Sequence, residues 1–407
     1  MGDRVVLGLA GTVDYEIVWD SATVERLVQT YAIRATEIST AVTIATERDL
    51  VCSLLGFVRD GSGGERFVAS SEIVSRFAAR FVYAATLGGT PVRAALAMDK
   101  LGVGATLHLV SIDDQVRRML PSRCDYVCSA VADTTDPHLI VQFPTGTRVQ
   151  AGDIDLTAPH PNRIIFANDP PSRELVLSDQ LGSVLADAKV FLVSGFNVMQ
   201  SPTLLNQRVD ELKQHLRRLP PEALVIYEDS GFHRPALAGV VWQRLGDRVD
   251  VHSLNEDEMQ AYLGRSLDLL DPVDTAAALR ELGALLSAPT VVVHSKYWAL
   301  AFGRDAADYG AALHGGITTA SARYAHGDHF TRADYDELAA LPPSGASAEF
   351  ATALHAQLGR VVCCVPANVL AVRNATTIGL GDSFVGGFIA ALPPHRARVP
   401  TGTSEST

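Results

Sequence analysis

Along the chain, short apolar runs rich in β-branched residues alternate with longer stretches whose apolar positions recur every three or four residues. The runs are "VVLGLAG" (5–11), "ATLHLVS" (105–111), "RIIFAND" (163–169), "VFLVSGF" (190–196), "ALVIYED" (223–229), "VDVHSL" (249–254), "TVVVHS" (290–295) and "VVCCV" (361–365). Several are apolar at nearly every position, as strands of a parallel sheet are when both faces are covered. The stretches between them, such as "SPTLLNQRVDELKQHLRRL" and "DPVDTAAALRELGALLS", carry the helical period. Strand and helix in turn predict an α/β fold with a central, mostly parallel sheet and helices on both faces. Ligands of such a fold are expected beyond the C-terminal ends of its strands.

Two regions break this rhythm. Residues 14–80 mix short segments with the glycine-rich turn "RDGSGGERF", and residues 124–163 read as short strands joined by turns. Together, 14–80 and 124–163 are expected to form a smaller β-rich lid on a discontinuous large domain made of 1–13, 81–123 and 164–392. The end of the chain, 393–407, is rich in Pro, Ser and Thr without any period and is expected to be a flexible tail. A length of 407 residues accommodates two such bodies.

Composition removes several classes of function. With 47% hydrophobic and 20% charged residues the chain is globular, and no apolar run approaches the roughly 18 residues of a membrane span. The opening segment has no basic stretch followed by an apolar one and a cleavage site, so a cytoplasmic location is expected. Five cysteines, Cys52, Cys124, Cys128, Cys363 and Cys364, fit no zinc-finger spacing and are expected to be reduced thiols. A net charge of −12 disfavours nucleic acid. Small anionic ligands stay open, since a pocket can be positive within an acidic protein. No protein partner is evident.

Near the C-terminus stands "NATTIGLGDSFVGGFIAAL" (374–392). Gly379 and Gly381 permit backbone turns that a side chain would forbid, and a helix from about Ser383 would point its unpaired N–H groups outward, forming an anion cradle. Asp382 in that cradle reads either as a general base for a nucleophilic hydroxyl or as a helix N-cap. The motif alone leaves both readings open. Asn255 and Glu258 in "SLNEDEM", taken alone, form an acidic helix start. Asp14 reads as a turn former or as an acceptor for two neighbouring hydroxyls. His138 and Arg163, as lone residues, are more often structural.

In the same stretch, "TTIGLGDSFVGGF" resembles the G-x-G-D signature of ribokinase-like sugar kinases, and further segments resemble one branch, the ADP-dependent glucokinase and phosphofructokinase family. In chain order these are "TVDYEIV", "GSGGERF", "LGGTPVRAALAMDKLG", "HLIVQF", "APHPNRIIFANDP", "VSGFNVM", "ALVIYED", "SLNEDEM" and "VHSKYWAL". The chain departs from the family pattern at Thr90 (usually Asn or Gln), at Asn197 (usually Gln) and at Ile226, where the H-x-E motif ending at Glu228 has its histidine.

The resemblance implies a ribokinase-like large domain with a lid and a phosphotransferase acting on an alcohol group. The β-phosphoryl group of ADP would pass to a sugar hydroxyl, giving a sugar phosphate and AMP. Asp382 would be the base, with the amides around Gly379 and Gly381 as the anion hole. The sugar would lie against Asp14, Glu65, Gly88 and Gly89, with Asn197, His138 and Arg163 in reach. Mg²⁺ or another divalent cation would be held by Glu258, Glu228 and Asn255. A glutamate at position 65 goes with glucose in the family rather than fructose 6-phosphate, whose phosphate a carboxylate would repel. The alternatives are an ATP-dependent kinase of the wider group, a phosphofructokinase, and a sugar or nucleotide binder without turnover.

Overall fold

The near-continuous apolar runs become central strands because their alternate residues enter two different cores. In the computed structural model, which describes residues 4–370, 372 and 376–393, the strands are β1 (Arg4–Gly8), β2 (Thr12–Ile17), β3 (Gly64–Phe67), β4 (Tyr83–Gly88), β5 (Ala105–Leu109), β6 (Cys124–Cys128), β7 (His138–Phe143) and β8 (Arg148–Ala151). They continue with β9 (Ile154–Thr157), β10 (Asn162–Ala167), β11 (Ala188–Val193), β12 (Leu224–Glu228), β13 (Val251–Asn255), β14 (Thr290–His294), β15 (Trp298–Gly303) and β16 (Val362–Pro366). Val5, Leu7, Val190, Leu192, Leu224 and Ile226 pack on one face. Val6, Phe191, Val193, Val225 and Tyr227 pack on the other. Two buried faces require two helical layers.

Nine strands form the large sheet in the order β16-β15-β14-β13-β12-β11-β1-β5-β6, parallel from β6 to β14. The last two, β15 and β16, are antiparallel. β15 comes from "WALAFG", which the run pattern did not single out. Two helices on the first face matter for the site: α4 (Thr90–Lys100), and the C-terminal helix Leu380–Ala390, whose Phe384 and Phe388 belong to that core.

The second sheet has five strands in the order β3-β10-β7-β2-β4. One face is apolar and is covered by α1 (Ser21–Thr30), α2 (Glu47–Asp60) and α3 (Ser71–Ala78), which meet Leu139, Val141, Ile164 and Phe166. These helices make the smaller body as helical as it is β-rich. Strand pairing also cuts the chain differently from the expected boundaries. β4 and β10 fall in the expected large-domain ranges wholly or mostly, yet belong to the five-stranded sheet; β6, expected in the lid, is the edge of the large sheet. The reason is that β2 and β4 pair directly and β10 pairs with β7, so each carries its neighbour along. The expected flexible tail, apart from Pro393, lies outside the described residues. Among the described residues no helix is long and apolar enough to cross a membrane.

Candidate active site

Asp382 lies one turn inside its helix rather than ahead of it. The helix begins at Leu380 with Gly379 as its N-cap, in the left-handed region at φ 65°, so the expected start near Ser383 is three residues late. A Cβ on Gly379 would stand 2.8 Å from Cδ of Arg93, which adds a steric reason for glycine to its backbone one. Asp382 is therefore not a capping residue. Its Oδ1 accepts a 2.7 Å hydrogen bond from the hydroxyl of Thr90, at the start of α4, and its Oδ2 is 4.0 Å from Nε of Arg93.

Arg93 joins this carboxylate to Asp14. Its Nη2 donates to Oδ2 of Asp14 at 2.8 Å and to Oε1 of Glu16 at 3.3 Å. Both Arg93 and Asp14 are almost fully buried. Burial acts against the guanidinium charge, but Asp14 and Asp382 outweigh it and hold the arginine charged. Removing one partner of such a pair strands the other, at a cost of about 3 kcal/mol or more. The other Asp14 oxygen accepts from Thr12 at 2.8 Å. Each oxygen keeps a further lone pair free. Gly88 makes room for this carboxylate, since a Cβ there would fall 2.2 Å from Oδ2 of Asp14; Gly89, at φ 84°, caps α4.

Strand register carries the remaining acceptor-side residues to the face of the small sheet that α1 to α3 leave free. Asp14 pairs with His138 on β7, Glu65 with Ile165 on β10. His138 lies 3.2 Å from Asp169; burial opposes its charge, but Asp169, Asp14 and Glu65 hold its pKa above the ordinary value. Glu65 meets His233, from the loop after β12, with Oε2 and Nε2 2.6 Å apart. Burial raises the Glu65 pKa, but His233, His138 and Arg163 outweigh it and keep the carboxyl below its usual range. Arg163 is exposed on β10. Asn197 sits in a short 3-10 turn after β11 and accepts the backbone N–H of His233 through its own carbonyl.

Glu228 ends β12, buried, on the same face as Ile226. Its Oε1 is 3.2 Å from Nε2 of His294, which ends β14 and stacks on Phe384. A histidine thus reaches Glu228 from β14 although position 226 is isoleucine. Glu228, Glu256 and Glu258 raise the His294 pKa against the effect of burial. Glu258 opens the next helix, Glu256–Leu263; its burial, with the charges of Asp229 and Glu228, pushes its pKa up to about 8.

These carboxylates suit a cation in part. Oε2 of Glu228 is buried without a hydrogen-bond partner. Asn255 does not fit the expected metal set: its side-chain oxygen already accepts the N–H groups of Asp257 and Glu258 as the helix N-cap. Among the described residues no group of three or more His, Cys, Asp and Glu is arranged to ligate a metal directly. Glu228 and Glu258 would be left to hold a cation through water, which Mg²⁺ favours.

The arrangement places a carboxylate at an amide nest, a buried carboxylate for hydroxyls beside it, and an acidic pair at neighbouring strand ends, the parts list of phosphoryl transfer. The family model of the ADP-specific phosphofructokinase/glucokinase conserved region matches residues 3–281. The chain belongs to the ADP-specific phosphofructokinase/glucokinase family. Members of this family are sugar kinases, phosphotransferases with an alcohol acceptor and ADP as donor. A search of the curated proteins gave no match. Among solved structures, a phosphofructokinase from Pyrococcus horikoshii OT3 with AMP is 16% identical, over 95% of this chain and 97% of that one, with a TM-score of 0.78. An ADP-dependent kinase in complex with fructose 6-phosphate and ADPβS is 15% identical, over 95% and 93%, with a TM-score of 0.69. At such identities these neighbours establish the fold of the family member, with its large sheet and smaller one.

Arg93, His233, His294 and Asp169 were not singled out from sequence. Arg93, Asp169 and His294 lie within the segments "LGGTPVRAALAMDKLG", "APHPNRIIFANDP" and "VHSKYWAL", whereas His233 lies in none of them.

Proposed function

We propose that this family member transfers the β-phosphoryl group of ADP to a hydroxyl of glucose, releasing AMP. The observation that carries this reading is the chain of contacts Thr90–Asp382–Arg93–Asp14, which links the base and the amide nest to the acceptor carboxylate across two sheets. We take the nine-stranded body as the nucleotide domain and the five-stranded body as its lid, with the acceptor between them.

Asp14 and Glu65 accept hydroxyls and fix which one faces Asp382, converting an encounter into a positioned pair. Asp382 takes the proton of that hydroxyl. The N–H groups at the start of the Leu380–Ala390 helix receive the charge of the migrating phosphoryl group. A divalent cation, when bound near Glu228 and Glu258, neutralises phosphate charge. His294 orients Glu228 for that purpose. The lid, drawn down by Glu65 on His233, excludes water that would hydrolyse the donor.

A second acceptor, fructose 6-phosphate, is favoured by one observation. Glu65 shares its surroundings with His233, His138 and Arg163, nitrogen groups that would offset its repulsion of a phosphate. Initial rates of sugar-phosphate formation with glucose and with fructose 6-phosphate, each against ADP and ATP at equal Mg²⁺, test both readings. Glucose with ADP is expected to be fastest, and Glu65→Gln is expected to reduce glucose turnover more than fructose 6-phosphate turnover. Turnover with ATP alone would remove the donor assignment; binding of a sugar without any AMP formation would leave a non-catalytic binder.

A further inference from the structure

Arg93 bonds Asp14 and Glu16 through Nη2 alone. The side chain is 4% exposed, and its Nη1 is fully buried without a hydrogen-bond partner. That nitrogen lies at the turn that starts the helix: it stands 3.3 Å from where a Cβ of Gly379 would be, as does Nε of Arg323. Arg323 is itself occupied. Its Nε donates to the carbonyl of Ile378 at 2.7 Å, and its Nη1 pairs with Asp328. It holds the turn that forms the nest, while the free donor at the nest belongs to Arg93. A guanidinium needs no proton exchange to serve an anion there and presents its donors in a fixed fork.

We propose that Arg93 is a catalytic residue, whose Nη1 donates to a non-bridging oxygen of the phosphoryl group as that group crosses the nest of Gly379 to Asp382. The proposal rests on the phosphoryl-transfer reading above. The acceptor oxygen forms its bond to the β-phosphorus as the bond from that phosphorus to the bridging oxygen breaks. The bonding pair leaves with AMP, the hydroxyl proton passes to Asp382, and Arg93 gains and loses nothing. The same side chain keeps Asp14 in register through Nη2, so acceptor and phosphoryl group are aligned on one rigid fork. Charge that develops on the phosphoryl oxygens meets a cation fixed before the reaction begins, in a site shielded from water.

The test uses the full chain. Arg93→Met is expected to lower kcat by about 10²–10³-fold, the size of losing one preorganised donor, and to raise KM for sugar as well, because Asp14 loses its partner. Arg93→Lys keeps a cation for Asp14 but not the fork; it is expected to fold as the parent does and still lose at least about tenfold in kcat. It serves if Arg93→Met fails to fold. Calorimetry with inorganic pyrophosphate gives a readout independent of turnover: the parent is expected to bind it, and Arg93→Met to bind it at least about tenfold more weakly. A raised KM for sugar at unchanged kcat, equal pyrophosphate binding in both proteins, or no binding in either would overturn the proposal. If pyrophosphate binding depends on Arg93 but the parent makes no AMP with any sugar, the kinase reading fails while the anion contact of Arg93 stands.

Discussion

At the scale of single residues, the site works by crowding opposite charges where water is scarce. Asp14, Glu16 and Asp382 surround one guanidinium, and each gains from a cation that burial keeps from wandering. Asp382→Asn preserves the shape and the contact with Thr90 but removes the proton acceptor. Its kcat should fall by about 10²–10⁴-fold, with the affinity for ADP measured by calorimetry nearly unchanged; a mild loss of kcat would place the base elsewhere. Gly88→Ala probes the same cluster by space alone. Its new Cβ would fall 2.2 Å from Oδ2 of Asp14, which Arg93 prevents from retreating. KM for sugar should rise at least about tenfold and the melting temperature should drop, each excess over Gly345→Ala, where nothing lies within 4 Å, being the quantity to compare.

At the scale of elements, strand ends are where the fold exposes its polar groups, and one of them holds the centre of the large sheet by a neutral histidine. His108, on β5, accepts the N–H of Ser178 at Nε2 and donates from Nδ1 to the carbonyl of Leu9, just past β1. Burial drives its pKa down to about 4, well below the ordinary value near 6.5. The unfolded chain therefore binds more protons than the folded one between about pH 6.5 and 4, and stability is lost as the pH falls through that window. Thermal unfolding of the parent and of His108→Gln at pH 7, 5.5 and 4.5 should show the gap between them narrowing toward acid; a constant gap would mean that another group carries the acid sensitivity. Periodicity made such strands readable, because a run apolar at every position has few homes other than a doubly covered sheet. It could not say which sheet took β4, β6 or β10, since that depends on pairing between segments distant in sequence. The glycine-aspartate motif was readable for a related reason, being local. Arg93 was not: inside "PVRAALAMDK" it looks like a solvated helical arginine, and only the packing of α4 against the C-terminal helix, with Asp14 and Glu16 at its guanidinium, buries it. His294 likewise reaches Glu228 from two strands away, a distance no spacing rule on "VIYED" could cover.

At the scale of the whole molecule, one contact between the two sheets' bodies runs from β3 to the loop after β12. Glu65 and Phe67 on β3 both press on His233, which stems from the large body, one as a carboxylate at 2.6 Å and the other as a ring with its centroid 4.6 Å away. On the proposed reading, closing the cleft sets Glu65, the proposed sugar acceptor, against an anchor on the opposite body. A bound sugar that shares Glu65 would be held only in the closed form, so part of its binding energy would appear as closure. His233→Ala removes both contacts at once without touching Asp382, Arg93 or Glu228. It should raise KM for the sugar by about tenfold, leave the affinity for AMP within about twofold, and increase the radius of gyration in small-angle scattering with ADP and sugar present. His233→Phe keeps the ring stack and removes the nitrogen that meets Glu65; an intermediate KM from it would divide the closing force between the two contacts. If the radius of gyration of His233→Ala matched the parent under saturating substrates, closure would be driven from elsewhere, and the Asp14–Arg93–Asp382 chain, the other bridge between the sheets, would be the place to look.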